Sequence, residues 1–516
     1  MRDNGVVDVG PEPLTFDEVI RVARHGAAVR LTDDAIAAIS AARQLVDELA
    51  ESPVPAYGIS TGFGALATRH IDPALRAQLQ RSLVRSHAAG NGPEVETEVV
   101  RALMLLRLHT LATGHTGIRP TTAKTLAALI SAGITPVVHE YGSLGCSGDL
   151  APLAHVALTL MGEGVVRDES GNITAAEEAL KQAGIEPVEL AAKEGLALIN
   201  GTDGMLGMLI LAIDDLTMLV RTADVSAAMS VEGLLGTDRV FAPELQALRP
   251  QPGQALSAAN MTKILDQSGI MASHRDPTAC TRVQDAYSLR CAPQVAGAAR
   301  DTIAHAANVA TWELASAVDN PAVLSDGRVE SNGNFHGAPV AYVLDFLAIV
   351  AADLASMSER RTDRFLDVAR NHGLPAFLAD DPGVDSGHMI AQYTQAAIVS
   401  ELKRLAAPAS VDSIPSSAMQ EDHVSMGWSA ARKLRKSVDG LTRVLAVEVL
   451  TAARALDLRA PLEPAPATGA VVRALRETVP GPGPDRFLAP EIEYAVRLVA
   501  DGGVVAAAES VTGRLA

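Results

Sequence analysis

Residues 202–235 read TDGMLGMLILAIDDLTMLVRTADVSAAMSVEGLL. The stretch is long, apolar and rich in methionine, the character of a helix buried inside a bundle. Its most apolar part, Met205 to Ile213, stops at Asp214 and Asp215 and is too short to span a bilayer. Four more stretches share its character: Pro293 to Val318, Ala338 to Arg361, Gly387 to Ala407 and Gly427 to Leu456. Several of these exceed the globular mean of roughly 11 to 12 residues. They predict a mainly α protein with an elongated central helical bundle. On that reading residues 201–460 form the long-helix bundle and the oligomerisation core, because apolar faces wider than one chain's own core call for a partner chain.

Toward the N-terminus the pattern changes. The first 50 residues read as a small α/β start followed by a helix, DDAIAAISAARQLVDELA from Asp33, with apolar residues three and four apart. Helical patterns return at 74–88 and 94–113, and Pro120 opens another that Gly133 can stop. Two glycine-broken loops interrupt them, ESPVPAYGISTGFG at 51–64 and ITPVVHEYGSLGCSGD at 134–149, and a helix follows from Leu150. Charge, Gly171, Asn172 and Pro187 make 164–193 a surface excursion. Residues 1–200 are therefore expected to be a smaller, loop-rich region. Beyond the bundle, Pro461 to Pro484 reads as a loose proline-rich stretch before a last helix at about 490–500, so 461–516 is expected to be a C-terminal helical tail.

Composition narrows the function classes. The chain's 516 residues exceed the roughly 250 to 300 that one core usually supports, and 48% hydrophobic residues with 28 Pro and 41 Gly is a folding composition. Sixty-one acidic residues against 43 Lys plus Arg give a formal charge of -18, which argues against nucleic acid or an anionic membrane as partner. Aromatic residues are only 3%, and a core of Ala, Leu and Val favours closely packed helices over a β-sandwich. Cys146, Cys280 and Cys291 cannot build a disulfide framework and have no CxxC spacing. The opening MRDNGVVDVGPEP lacks a signal-peptide core, so the expected compartment is the cytoplasm.

The loops carry the unusual residues. Gly142-Ser143-Leu144-Gly145-Cys146-Ser147-Gly148-Asp149 runs into Leu150-Ala151-Pro152-Leu153. Its plain reading is a tight turn and a helix N-terminus capped by Asp149. A nucleophile elbow is a second reading, but the pattern is G-C-S-G rather than G-x-S-x-G, and no clear hydrophobic strand precedes it. The full string closely resembles the active-site loop of the aromatic amino acid ammonia-lyase family. Six further strings match that family in order: AYGISTGFG at 56–64, LVRSHAAG at 83–90, LALINGTDG at 196–204, VQDAYSLRCAPQ at 283–294, SNGNFHGAP at 331–339 and SAMQEDHVSMG at 417–427.

The resemblance implies that Cys146-Ser147-Gly148 cyclises with loss of two waters to 4-methylideneimidazol-5-one (MIO), an internal electrophile that needs no external cofactor. The residue types suit this chemistry. Gly148 lacks a Cβ, so its nitrogen can approach the Cys146 carbonyl in a compressed backbone, and Ser147 can lose its hydroxyl by β-elimination. By resemblance Tyr57 is the general base that takes the substrate's β-proton, with a pKa brought down from about 10. Asn200 and Tyr287 are placed near the ring and the substrate amine, Gln284 hydrogen-bonds ring or substrate, Phe335 packs on the ring, and Asn332 and Asn334 support their loop. Arg290 clamps the substrate carboxylate with its forked guanidinium. Alone, each has a plainer reading: a loop anchor for Tyr57, a satisfied helical polar group for His87, a surface ion pair for Arg290, a solvated loop for Gln420 to His423.

Two positions bear on the substrate. Phenylalanine-specific members carry Phe-Leu, and tyrosine-specific ones His-Leu, where this chain has Ser86-His87; the former also carry Gln in place of Glu421. A buried imidazole needs polar partners, which His87 and Glu421 supply, and Glu421 can alternatively receive a proton from the ammonium group. The implied reaction converts L-histidine to trans-urocanate and ammonia, the first step of histidine degradation, in a homotetramer with shared active sites. No metal motif accompanies Glu421-Asp422-His423, and no catalytic metal is expected. Ala338 departs from the pattern, since many histidine-specific members have Glu there, and one polar contact near the site is then made differently or not made. The rivals are a tyrosine or phenylalanine ammonia-lyase or an aminomutase on the same scaffold, and a non-catalytic helical scaffold. The last has no use for Cys146-Ser147-Gly148 beside Tyr57, Asn200 and Arg290.

Overall fold

Residues 202–235 form the expected long helix, Asp203–Gly233, in a computed structural model that describes residues 5–52, 58–62, 69–145, 148–168, 170–276, 280 and 283–516. Tyr57, Cys146 and Ser147 lie outside the described residues. The other long stretches are helices Ala292–Leu314, Ala338–Leu366, Met389–Leu405 and Gly427–Asp457, and the fold is mainly α as predicted. Helix Ala338–Leu366 is long and apolar enough to cross a membrane, yet 67% of its most apolar window is buried in protein, the setting of a core helix.

The chain divides into two units, each built from separate stretches. The first comprises Met1–Leu211, Ala307–Asp345 and Pro408–Arg432. It begins with strands Val6–Val9 and Ala28–Leu31, paired in parallel through helix Phe16–His25, whose Thr15 and Glu18 form a capping box. Helix Thr97–Ala112 is its axis and is buried from Val99 onward. Helices Phe16–His25 and Pro120–Ser131 pack against it. The 164–193 excursion carries regular structure: strands Val165–Arg167 and Ile173–Ala175 pair antiparallel, and helix Ala176–Ala183 stops at Gly184, whose left-handed φ of 68° suits glycine.

The second unit comprises Ala212–Ala306, Phe346–Ala407 and Lys433–Ala516. Glu448 ties three of its helices together. Its carboxylate accepts from Arg361 at 2.5 and 2.8 Å, from Ser226 at 2.9 Å and from Ser230 at 2.7 Å, so a buried charge is fully partnered. The stretch 461–484 is not loose throughout. Pro466 opens helix Pro466–Arg476, which buries Val471 and Leu475 and packs against a further terminal helix, Gly503–Thr512. Proline lacks only an N–H that the first helical turn leaves unused, so here it starts a helix instead of breaking one.

Candidate active site

Three helices of the first unit, Arg76–His87, Leu150–Leu160 and Glu194–Ile199, pack on one another. Their ends carry His87, Gly148 with Asp149, and Asn200. Gly148 has φ +75°, and it pairs with Gly201 as an isolated parallel bridge in which the Asp149 N–H donates to the Gly201 carbonyl at 2.7 Å. A Cβ on Gly148 would run into that carbonyl oxygen, so only glycine fits. This crowding is what a cyclising tripeptide requires of its third residue, and the described part of 146–148 fits the implied MIO group.

Two further loops close on the same segment. Ser425 Oγ donates to the Gly145 carbonyl at 2.9 Å, and the Met426 N–H to the Leu144 carbonyl at 2.9 Å. The Met205 thioether fills the space that side chains on Gly337 or Gly427 would need, 2.6 and 2.7 Å from where each Cβ would stand. Phe335 is half-buried beside His336, whose ring stacks on His423 with centroids 5.7 Å apart and planes 4° from parallel. Glu421 is half-buried, and its carboxylate accepts from Ser416 Oγ at 2.8 Å.

The electrostatics beneath these loops are those of a dry site. Asp149 is buried and caps not its own helix, as its sequence position predicts, but Asp203–Gly233: Oδ2 accepts from the Met205 N–H at 2.9 Å and Oδ1 from Ser143 Oγ at 2.9 Å. Burial pushes its pKa up to about 7, against the pull of those hydrogen bonds, and the nearby Asp203 adds to the rise. Burial likewise raises Asp203, although Arg107 bonds it at 2.6 Å. Asn200 donates from Nδ2 to the Asn320 carbonyl at 3.1 Å, while its Oδ1 is buried with no hydrogen-bond partner among the described residues. Asn332 donates to the Asp319 carbonyl at 3.0 Å, and Asn334 N–H to Asn332 Oδ1 at 2.9 Å, which brace the 331–337 loop. His87 ends its helix with Nδ1 2.9 Å from the Leu83 carbonyl, so Nδ1 is the donor of that bond and Nε2 is the nitrogen left for another partner.

Gln284, Tyr287 and Arg290 belong to the second unit. Helix Tyr287–Arg290 is a single turn, and the Arg290 guanidinium lies 4.6 Å from the centroid of the Tyr287 ring. Gln284 is exposed, Tyr287 is 70% exposed, and Arg290 Nε is buried without a hydrogen-bond partner among the described residues. Arg290 makes no ion pair there, unlike its plain reading. Motif reading missed Arg107, Met205 and the second-helix role of Asp149. A signal existed for the first: an arginine inside TEVVRALMLLRLHTLA must find internal partners once that helix is buried.

A mainly α chain with a glycine-crowded loop closed by an asparagine turn and a Gln-Glu-Asp-His loop defines a class. Residues 14–477 match the aromatic amino acid lyase family, and the chain belongs to it. Within that class it is 66% identical to the histidine ammonia-lyase of Streptomyces avermitilis over 511 residues, 99% of each chain. Among solved structures it is similar to histidine ammonia-lyase from Trypanosoma cruzi, with TM-score 0.90, 38% identity and 98% and 95% of the two chains covered. It is also similar in fold to tyrosine aminomutase from Streptomyces globisporus, with TM-score 0.93, 38% identity and 99% and 100% covered.

Proposed function

We infer that this chain eliminates ammonia from L-histidine to give trans-urocanate. The full-length 66% identity to a histidine ammonia-lyase carries the reading, and the residue chemistry agrees with it. An imidazole needs hydrogen-bond partners once it is buried, and His87 and Glu421 supply polar groups that a phenyl ring cannot use. In this reading Cys146-Ser147-Gly148 holds the MIO group, which supplies an electron-poor methylidene carbon. Arg290 grips the substrate carboxylate, and Gln284 and Tyr287 line the same segment. Asn200 Oδ1, buried and without a partner among the described residues, is an acceptor for the substrate amine. Tyr57 takes the β-proton, and Phe335 packs against the ring formed at Ser147.

The assembly in this reading is a homotetramer in the cytoplasm, with sites completed by more than one subunit. Trp312, Tyr342, Phe346 and Ile349 support it, being 45 to 67% exposed on helices Ala292–Leu314 and Ala338–Leu366. The test is an ultraviolet assay of the purified protein with L-histidine, L-phenylalanine and L-tyrosine at equal concentration. Urocanate should dominate. Faster cinnamate or coumarate, or a β-amino acid as the main product, would replace this reading with a different lyase or a mutase.

A further inference from the structure

Arg107 lies within helix Thr97–Ala112 with its side chain 0% exposed. Nη1 donates to the carbonyls of Ala197 at 2.9 Å and Asn200 at 3.1 Å, and Nη2 to Asp203 Oδ2 at 2.6 Å and the Val318 carbonyl at 3.3 Å. Gly201 is caught in this grip, since a Cβ there would overlap the guanidinium itself. On its other side Gly201 pairs with Gly148 in an isolated bridge, its carbonyl accepts the Asp149 N–H, and that carbonyl fills the place a Cβ on Gly148 would need. Guanidinium, Gly201 and Gly148 thus form a continuous stack. Asp203 offsets the buried positive charge, and the planar fork reaches four oxygens, more than the three N–H donors of a lysine ammonium could serve.

We propose that Arg107 is a positioning residue for self-processing: it clamps residues 197–203 so that Gly201 compresses Gly148 toward ring closure. The proposal rests on the reading that 146–148 cyclises. In that reaction the Gly148 nitrogen bonds to the Cys146 carbonyl carbon, and the carbonyl oxygen leaves as water with the amide hydrogens of Ser147 and Gly148. Ser147 then loses its Cα hydrogen and its hydroxyl as the second water. Neither step needs an oxidant or a metal. What the first step needs is a tripeptide held bent, because an unconstrained amide nitrogen is a poor nucleophile and only proximity makes its attack competitive. In this proposal the Gly201 backbone paired with Gly148 supplies that constraint, and Arg107 is its anchor.

Intact-mass spectrometry of the full chain, followed over time after cell-free synthesis, reads processing as a loss of about 36 Da, two waters. Circular dichroism and thermal unfolding of the same samples read folding. Arg107→Lys keeps a charge for Asp203 but loses the fork, and Gly201→Ala disturbs the stack from its middle. Both should fold and lose the mass at least about tenfold more slowly than wild type. Absence of the loss in wild type itself would sink the electrophile reading, not merely the clamp. Wild-type processing in either folded variant overturns the clamp alone. If neither variant folds, Arg107 serves stability, and the positioning role is equally overturned.

Discussion

Gly148 sits among backbone contacts so close that no side chain fits, whereas Tyr287 leaves 70% of its surface open and Arg290 keeps a buried Nε without a partner among the described residues. The first setting is finished within its own unit. Four loops meet there, and Asp149, Ser143, Ser425 and Arg107 fix them with hydrogen bonds between 2.6 and 3.3 Å. The second setting offers a guanidinium that holds no carboxylate among the described residues. If Arg290 is the carboxylate clamp of the proposed function, this difference is what a site assembled from more than one chain calls for. The contrast therefore supports the shared-site reading and also shows where to attack it.

The largest effect is expected at the self-contained half. Ser147→Ala removes the hydroxyl that must be eliminated, and turnover should fall by on the order of 10³-fold or more with the fold retained. Near-normal turnover in that variant would end the electrophile assignment. At the open half, Arg290→Met should cost about 10²-fold in kcat/KM, the loss of a charge-assisted clamp on a carboxylate. The two variants together test the contrast itself. If Ser147 and Arg290 of one site come from different subunits, co-expressing Ser147→Ala with Arg290→Met should rebuild about a quarter of the sites by random mixing. No recovery in purified mixed oligomers would place both residues of each site on one chain.

A smaller change is expected in the specificity of the closed pocket. His87→Leu with Glu421→Gln should lower kcat/KM for L-histidine about tenfold to a hundredfold, and narrow the preference over L-phenylalanine by a similar factor. Initial rates at the urocanate and cinnamate wavelengths measure both. An unchanged histidine-to-phenylalanine ratio would remove these two residues from substrate recognition.

The same contrast explains what was legible in the sequence. The long helices are readable because burial on most faces demands apolar residues throughout, as in 202–235. The Gly148 loop is readable because chemistry constrains each residue type at a fixed spacing. Arg107 is not readable as a clamp, because its acceptors are mostly main-chain carbonyls that any residue supplies, and they lie far along the chain at 197, 200 and 318. Helix Pro466–Arg476 hides for a different reason: its prolines look like breakers until one of them occupies the first helical position.

The smallest expected effect concerns stability, and it opposes one unit to the other through two buried titratable groups. Asp149 has its pKa raised from 3.8 to about 7, mainly by burial, so the native state keeps a proton that the unfolded chain has lost. Its stabilising contribution is full below about pH 4 and is lost as pH rises toward 7. His388 of the second unit, 4% exposed with Nδ1 3.1 Å from Thr451 Oγ1, is lowered from 6.5 to about 3 by burial first and then by Arg454, Arg476 and Arg486. It stays neutral in the fold, so its contribution is full above about pH 6.5 and is lost as pH falls toward 3. Between roughly pH 4 and 6.5 the two slopes oppose each other, each limited to about 1.4 kcal/mol per pH unit for a single proton. Removing one should unmask the other. Relative to wild type, Asp149→Asn should make stability climb more steeply with pH across that window, and His388→Gln should make it fall more steeply. Urea midpoints at pH 4.5 and 6.5, two points inside or at the edge of that window, measure the difference. If both variants shift the slope in the same direction, or neither shifts it, the protonation states assigned to these two buried groups are wrong.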